Sequence, residues 1–192
     1  MRTIITTCLI LLTFMLHAAD EPRPAAEVPR PTAWAVPVTL DGVHNLYRVT
    51  STLYRCAQPD AAGMKQLETL GIKTVINLRQ FHSDSTEVEG TRLLNEELSV
   101  KTWHIEDEDV IRVLRILGKP ENGPFLIHCK HGSDRTGLMC AMYRIVVQGW
   151  TKEAAIDELK NGGYGYWAGW TNIISYLKEV DIERMKKAVA AP

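Results

Sequence analysis

The chain has 192 residues, with 22 Lys and Arg against 23 Asp and Glu and a formal net charge of −1. That length provides one domain with room for a tail, and a core that needs neither disulfide nor metal. At 45% hydrophobic and 23% charged, the composition excludes wholesale disorder. Near-neutrality excludes a polyanion binder that works through a broadly basic surface, so no nucleic-acid partner is expected. A small, intensely positive pocket is compatible with the same balance.

Arg2 is followed by an apolar run from Ile4 to Leu16 and then His17-Ala18-Ala19-Asp20. A basic start, about a dozen apolar residues and small residues before a polar one predict an export signal over 1–19. The run is shorter than the ~20 apolar residues that span a bilayer. The expected destination is outside the cytoplasm, periplasmic or secreted. Membrane attachment is expected only if the segment stays uncleaved. Cys8 lies inside the run, which leaves Cys56, Cys129 and Cys140. Three is odd, so at least one thiol stays free. Five of the nine prolines fall in 20–45, which predicts an extended, semi-rigid leader before a folded domain at 46–187.

Strands and helices then alternate. Leu53-Tyr54-Arg55 predicts a short strand. Asp60 caps a helix from Ala61 to Leu70 that Gly71 stops. The β-branched run from Thr74 to Leu78 predicts a buried strand. A helix is expected from Glu87 to Leu98, a strand from Lys101 to Ile105 and a helix from Asp109 to Leu117. After the turn cluster at 119–124, Phe125 to His128 predicts an apolar strand. Helices follow from Thr136 to Gln148, from Thr151 to Lys160 and from Trp170 to about Lys187. This order predicts an α/β fold, with a central, mostly parallel sheet flanked by helices.

One segment carries chemistry: Phe125 to Gly137, FLIHCKHGSDRTG. A buried strand enters a loop that opens a helix. Such a loop aims backbone N–H groups at one point, and the helix dipole adds positive potential. Gly132 permits the tight curve. Arg135 offers a planar fork for two phosphate oxygens. Lys130, His131, Gly132, Ser133 and Asp134 complete a cradle for a phosphoryl dianion. Cys129 stands at its mouth, where positive potential favours the nucleophilic thiolate. The implied reaction forms a cysteinyl-phosphate that water then hydrolyses. Thr136 is expected to donate a hydrogen bond to the departing sulfur, and His128 to orient the loop through nearby carbonyls.

The sequence His-Cys-x-x-Gly-x-x-Arg-Thr-Gly, after an apolar strand and before a helix, resembles the cysteine-dependent protein-tyrosine and dual-specificity phosphatases. Tyr54-Arg55-Cys56-Ala57-Gln58-Pro59, Val75-Ile76-Asn77-Leu78-Arg79 and Tyr143-Arg144 resemble the compact, atypical dual-specificity branch. The resemblance spans about residues 46–180. It implies a phosphatase without a metal cofactor, with Cys129 as nucleophile and Arg135 as phosphate clamp.

The sequence departs from the family pattern at the general acid that protonates the leaving oxygen. The family places an Asp roughly 30 residues before the cysteine; Asn95 to Lys101 holds only Glu96 and Glu97. Asp107, just downstream, and Asp134, inside the cradle, are the two leading candidates, with Asp84 third. Asp107 also reads as a helix-start carboxylate, and Asp134 as an outward cap.

Phosphotyrosine or another aryl phosphate is the expected substrate, with phosphoserine and phosphothreonine in reach. Tyr164, Tyr166, Trp167 and Trp170 are candidates for its aromatic wall. Lys130 and His131 beside the nucleophile resemble superfamily lipid phosphatases, so an inositol phosphate or phosphoinositide is the alternative. A phosphate-binding module of weak activity is the competing class. His128, Cys129, His131 and Cys140 do not follow a four-ligand zinc spacing. Cys56 and Cys140 read as small buried hydrophobes, with a Cys56–Cys129 disulfide as the sharper alternative for Cys56.

Overall fold

The computed structural model describes residues 30–191; the predicted export signal and the first part of the leader lie outside the described residues. Six strands form one sheet: β1 (Val36–Pro37), β2 (Tyr47–Arg48), β3 (Leu53–Cys56), β4 (Thr74–Asn77), β5 (Leu94–Glu97) and β6 (Phe125–His128). Their order is β1-β2-β3-β6-β4-β5. β1, β2 and β3 pair antiparallel, while β3, β6, β4 and β5 pair parallel. The expected mostly parallel sheet is present. β4 and β6 are buried along their whole length, as parallel strands covered on both faces must be.

Register sets the position of the site. Cys56 and Asn77 both lie opposite His128, so β3, β6 and β4 end level at one edge of the sheet. The loop that starts at Cys129 leaves from that edge, where parallel α/β sheets place their ligand crevices.

Helix α1 (Ala61–Leu70) covers one face, with Met64 and Leu67 against Val75, Leu93 and Leu126. Asp60 caps it by accepting from the Gly63 N–H at 2.7 Å, and Gly71 stops it at φ 100°. The other face carries α2 (Asp107–Leu117), α3 (Asp134–Val146), α4 (Lys152–Asn161), α5 (Thr171–Glu179) and α6 (Ile182–Ala190), packed over Leu53, Ile76 and Ile127. A buried fork, Arg144 Nε and Nη2 to the two Glu158 oxygens at 2.8 and 3.0 Å, locks α3 to α4.

Three expected elements differ. The helix expected at Glu87–Leu98 is a turn region followed by β5. Gly90 at φ 76° breaks any helix, and the free edge of β4 recruits the rest, overriding helix propensity. Glu96 and Glu97 then charge an exposed edge strand. The strand expected at Lys101–Ile105 is a turn. Pairing ends when the Leu98 N–H donates to Asn77 O at 2.8 Å, after which the chain curls across the end of the sheet. The single C-terminal helix is two, because Val180 is extended and Asp181 caps α6 by accepting from the Arg184 N–H at 3.0 Å.

The folded unit also begins before residue 46. The Arg30 guanidinium lies over the rings of Trp34, Tyr47 and Tyr164 at 5.5, 5.3 and 5.4 Å. It donates to Gly162 O and to the Tyr164 hydroxyl at 2.6 and 2.9 Å. The buried Ala35 N–H donates to Glu158 Oε1 at 2.6 Å. From Arg30 onward, the proline-rich segment is therefore part of the domain rather than a leader, and α6 extends it to Ala190.

Candidate active site

The loop from Cys129 to Ser133 joins the end of β6 to the start of α3. Its carbonyls are held from outside. Lys130 O accepts from the Gln58 N–H at 3.3 Å. His131 O accepts from Asn45 Nδ2 at 2.9 Å. Gly132 O and Ser133 O accept from Arg55 Nη2 at 2.6 and 3.5 Å. Carbonyl and amide of one planar peptide point in opposite directions, so fixing these carbonyls outward turns the N–H groups inward. Among the described residues, the N–H groups of Lys130, His131, Gly132 and Ser133 have no backbone acceptor. These free donors lie in the loop between Cys129, itself only 2% exposed, and the N-terminal end of α3.

Gly132 is required twice. Its φ is 70°, and a Cβ there would sit 2.4 Å from the carbonyl carbon and oxygen of Cys56. The loop is pressed directly onto the end of β3.

Arg55, quoted in the sequence only as part of a resemblance, lies beneath the loop. It is buried, stacks on the Tyr164 ring at 3.7 Å and forms no ion pair among the described residues. An uncompensated buried cation under the cradle adds to its positive potential. Arg135 is in the first turn of α3, donates to Leu78 O at 3.2 Å and lines an open cavity of about 220 Å³ beside the loop. The hydroxyl of Thr136 is fully buried and has no hydrogen-bond partner among the described residues.

Of the expected roles, that of His128 changes. Its partner is a carboxylate rather than carbonyls: Nε2 meets Asp84 Oδ2 at 2.6 Å, and both side chains are fully buried. Asp84 also accepts from Gln58 Nε2 at 2.9 Å. Burial pushes the Asp84 carboxyl up, but hydrogen bonding and charge from His128, with Gln58 and His82, outweigh it and hold the group below its usual value. A buried carboxylate held ionised is a fixed acceptor, which removes Asp84 as the acid.

The two leading acid candidates are also engaged. Asp107 begins α2, accepts from the Tyr176 hydroxyl at 2.8 Å and pairs with Arg184, tying α2 to α5 and α6. Asp134 Oδ1 accepts from the Trp167 N–H at 3.0 Å, and Oδ2 from Ser133 Oγ at 3.1 Å. Neither lines the cavity beside Arg135. Both stand in the first turn of a helix but neither accepts a capping hydrogen bond from it, and Asp134 instead holds the Trp167 N–H and so the end of the 162–167 loop.

The aromatic wall is not where it was expected. Tyr164 is core, packed edge-on to Tyr47 with ring centroids 4.7 Å apart. Tyr166 donates to Trp170 O at 2.6 Å, and Trp167 stands edge-on to Trp170 at 5.5 Å. The cavity is walled instead by Phe81 and Trp103, 88% and 60% exposed, together with Arg79 and Lys130. The available signal was a lone aromatic in a polar loop just past a buried strand.

Among the described residues, Cys56, Cys129 and Cys140 form no disulfide. Burial, then the neighbouring Cys129 and Asp84, push the Cys56 thiol well up; burial also pushes up Cys140. Both are held as neutral thiols in the core. His82, Asp84 and Glu87 bring ligand-type atoms within 4.8 Å of one another, but both Asp84 oxygens are already used by His128 and Gln58.

The model of the tyrosine phosphatase family matches residues 43–164. The chain is 39% identical over 181 residues to the dual specificity protein phosphatase TpbA of Pseudomonas aeruginosa strain UCBPP-PA14, covering 94% of this chain and 79% of that one. A crystal structure of P. aeruginosa TpbA, a cysteine-to-serine variant in complex with pTyr, superposes with a TM-score of 0.76 at 37% identity, covering 85% of this chain and all of the other. The inositol diphosphatase DSP5 of Arabidopsis thaliana is 26% identical over 153 residues, 76% of this chain and 74% of its own. Loop, register and sequence agree, and the chain belongs to the tyrosine phosphatase family.

Proposed function

We propose that the protein hydrolyses phosphate monoesters, phosphotyrosine and other aryl phosphates first and phosphoserine or phosphothreonine second, through a cysteinyl-phosphate on Cys129. The observation that carries this reading is the run of free loop N–H groups that follows the buried Cys129 and leads into a helix whose first turn holds Arg135. The dianion is held by N–H groups, the Arg135 fork and the end of α3. Cys129 Sγ attacks phosphorus, the P–O bond to the leaving group breaks, and the electron pair goes to the leaving oxygen, which takes its proton from water. Water then displaces sulfur and releases inorganic phosphate. The Thr136 hydroxyl, buried and unpartnered, is free to donate to the departing thiolate. Preorganised donors of this kind carry most of the rate enhancement in such sites.

The occupied carboxylates favour aryl over alkyl esters. A phenol of pKa ~10 needs less proton assistance to leave than an alkyl alcohol, which is a far weaker acid. The complex of the related TpbA with pTyr supports the same substrate class. The inositol phosphate alternative rests on the DSP5 relative and on Lys130 at the rim. Export is proposed from the N-terminal sequence, and fractionation of the full chain reads it directly.

The test is turnover of p-nitrophenyl phosphate, a phosphotyrosine peptide and myo-inositol phosphates by wild type and Cys129→Ser. The aryl substrates turn over and Cys129→Ser turns over none. Activity retained in Cys129→Ser would end the mechanism, and turnover of inositol phosphates alone would select the alternative. Asp134→Asn separates the acid question. Loss on a poor-leaving-group phosphate with an activated aryl phosphate spared makes Asp134 the acid; equal loss on both leaves it as the anchor of Trp167.

A further inference from the structure

The cavity beside the cradle has more positive charge than one phosphate needs. Arg79, Lys130 and Arg135 all line it, no carboxylate does, and none of the three forms an ion pair among the described residues. Arg92, Arg144 and Arg184 are each matched, with Glu68, Glu158 and Asp107, and the other unpaired cations are scattered, whereas these three converge on one cavity. In a chain of net charge −1, three unmatched cations on one cavity mark an anion site.

Arg79 is also aimed. Its N–H donates backward within the turn, accepted by Asn77 Oδ1 at 2.9 Å, and its Nη1 donates to Gln58 Oε1 at 2.9 Å. Gln58 is in turn fixed by Asp84, which is fixed by His128 next to the nucleophile. A polar chain, buried at its His128–Asp84 end, therefore sets the position of Arg79 relative to Cys129. Gln58 takes only one arm of the fork and leaves the rest for a ligand. Phe81 and Trp103 supply two exposed aromatic surfaces on the same cavity, suited to an aryl ring and the chain that carries it.

Resting on the phosphatase reading above, we propose that Arg79, with Lys130, forms a second anion subsite that selects phosphotyrosine segments carrying an acidic side chain next to the phosphotyrosine. The scissile phosphate occupies the cradle and Arg135, the tyrosyl ring meets Phe81 and Trp103, and the neighbouring carboxylate or phosphate reaches Arg79.

The test compares two phosphotyrosine hexapeptides, one with Glu and one with Ala on both sides of the phosphotyrosine. Wild type prefers the Glu peptide in kcat/KM by about fivefold at low salt, the scale of partly exposed ion pairs. The preference collapses toward one at ~0.5 M salt. Arg79→Gln, which keeps a hydrogen bond to Gln58, loses the preference, and Arg79→Lys restores part of it. A wild-type ratio of one, or a ratio unchanged in Arg79→Gln, overturns the subsite. Calorimetric binding of both peptides to Cys129→Ser reads the subsite without turnover, so an inactive wild type defeats the phosphatase reading while affinity still judges the subsite. An Arg79-dependent gain for myo-inositol hexakisphosphate, with none for the Glu peptide, overturns the peptide assignment.

Discussion

At the scale of single residues, the site is defined by what each polar group has already been given. Lys130 to Ser133 have their carbonyls bound from behind, and the consequence is a donor-lined front. Arg55 is the clearest case, because it anchors the loop and adds charge. Arg55→Met removes two hydrogen bonds from a charged donor, at ~1.5–3 kcal/mol each in the usual range. It is expected to lower thermal stability by a few kcal/mol and to raise KM for aryl phosphates, read by melting and by steady-state kinetics. Gly132→Ala fails for two reasons, positive φ and the Cys56 backbone, and loses activity even where the fold survives. Asp84 gives a pH prediction. Its carboxyl is held below the ordinary value, so its stabilisation is present at neutral pH and lost as the pH falls through the folded-state value. The melting temperatures of wild type and Asp84→Asn, far apart at pH 7, converge in acid.

At the scale of elements, packing decided what propensity did not. Gly137 on α3 faces Leu159 on α4, and a Cβ would come within 2.2 Å of Leu159 Cδ1. Gly137→Ala is expected to push α4 away and cost ~1–3 kcal/mol. The double variant Gly137→Ala with Leu159→Ala makes room for the methyl, so its cost falls below the sum of the two single changes, read as non-additivity in a double-mutant cycle. On α5, burial first and Glu108 second push the Tyr176 hydroxyl up to about 12. A raised value means the protonated form is favoured in the folded state. That stabilisation is complete below the ordinary tyrosine range and is lost as the pH rises through 12. Absorbance titration of tyrosinate shows this group ionising late or together with alkaline unfolding. The helices read from capping residues held well: Asp60, Gly71 and Thr151 act where the sequence puts them. β5 and the break at Val180 were not legible. The first needs the free edge of β4, which is brought near only by folding, and the second needs a cap by Asp181 that a continuous apolar pattern conceals.

At the scale of the molecule, the N-terminal segment from Arg30 is a structural strap. It inserts a guanidinium among three aromatic rings and gives Glu158 a backbone donor. A chain beginning at Arg30 is expected to melt as the longer one does. One beginning at Val38 loses β1 and leaves Glu158 short of a donor, and is expected to melt about 5–10 °C lower. Calorimetry of the two truncations checks it. Equal melting temperatures would return residues 30–37 to the leader.

The segment from Phe125 to Gly137 was enough to expect a thiol nucleophile and an arginine clamp, and the alternation of strands and helices was enough for a mostly parallel sheet. Those properties are local in the chain: a buried strand, a loop and a helix start are contiguous, so their geometry follows from a dozen residues. What only the tertiary structure decided is every role that depends on a partner distant in sequence. Asp107 and Asp134 look like free acids until Tyr176, Arg184 and Trp167 are seen on them. His128 looks for carbonyls until Asp84 arrives from 44 positions away. Phe81, Trp103 and Arg79 meet Lys130 and Arg135 only because three parallel strands end level at one edge. Hydrogen bonding and burial are satisfied by the fold as a whole, and a linear pattern carries no record of which distant group satisfies which.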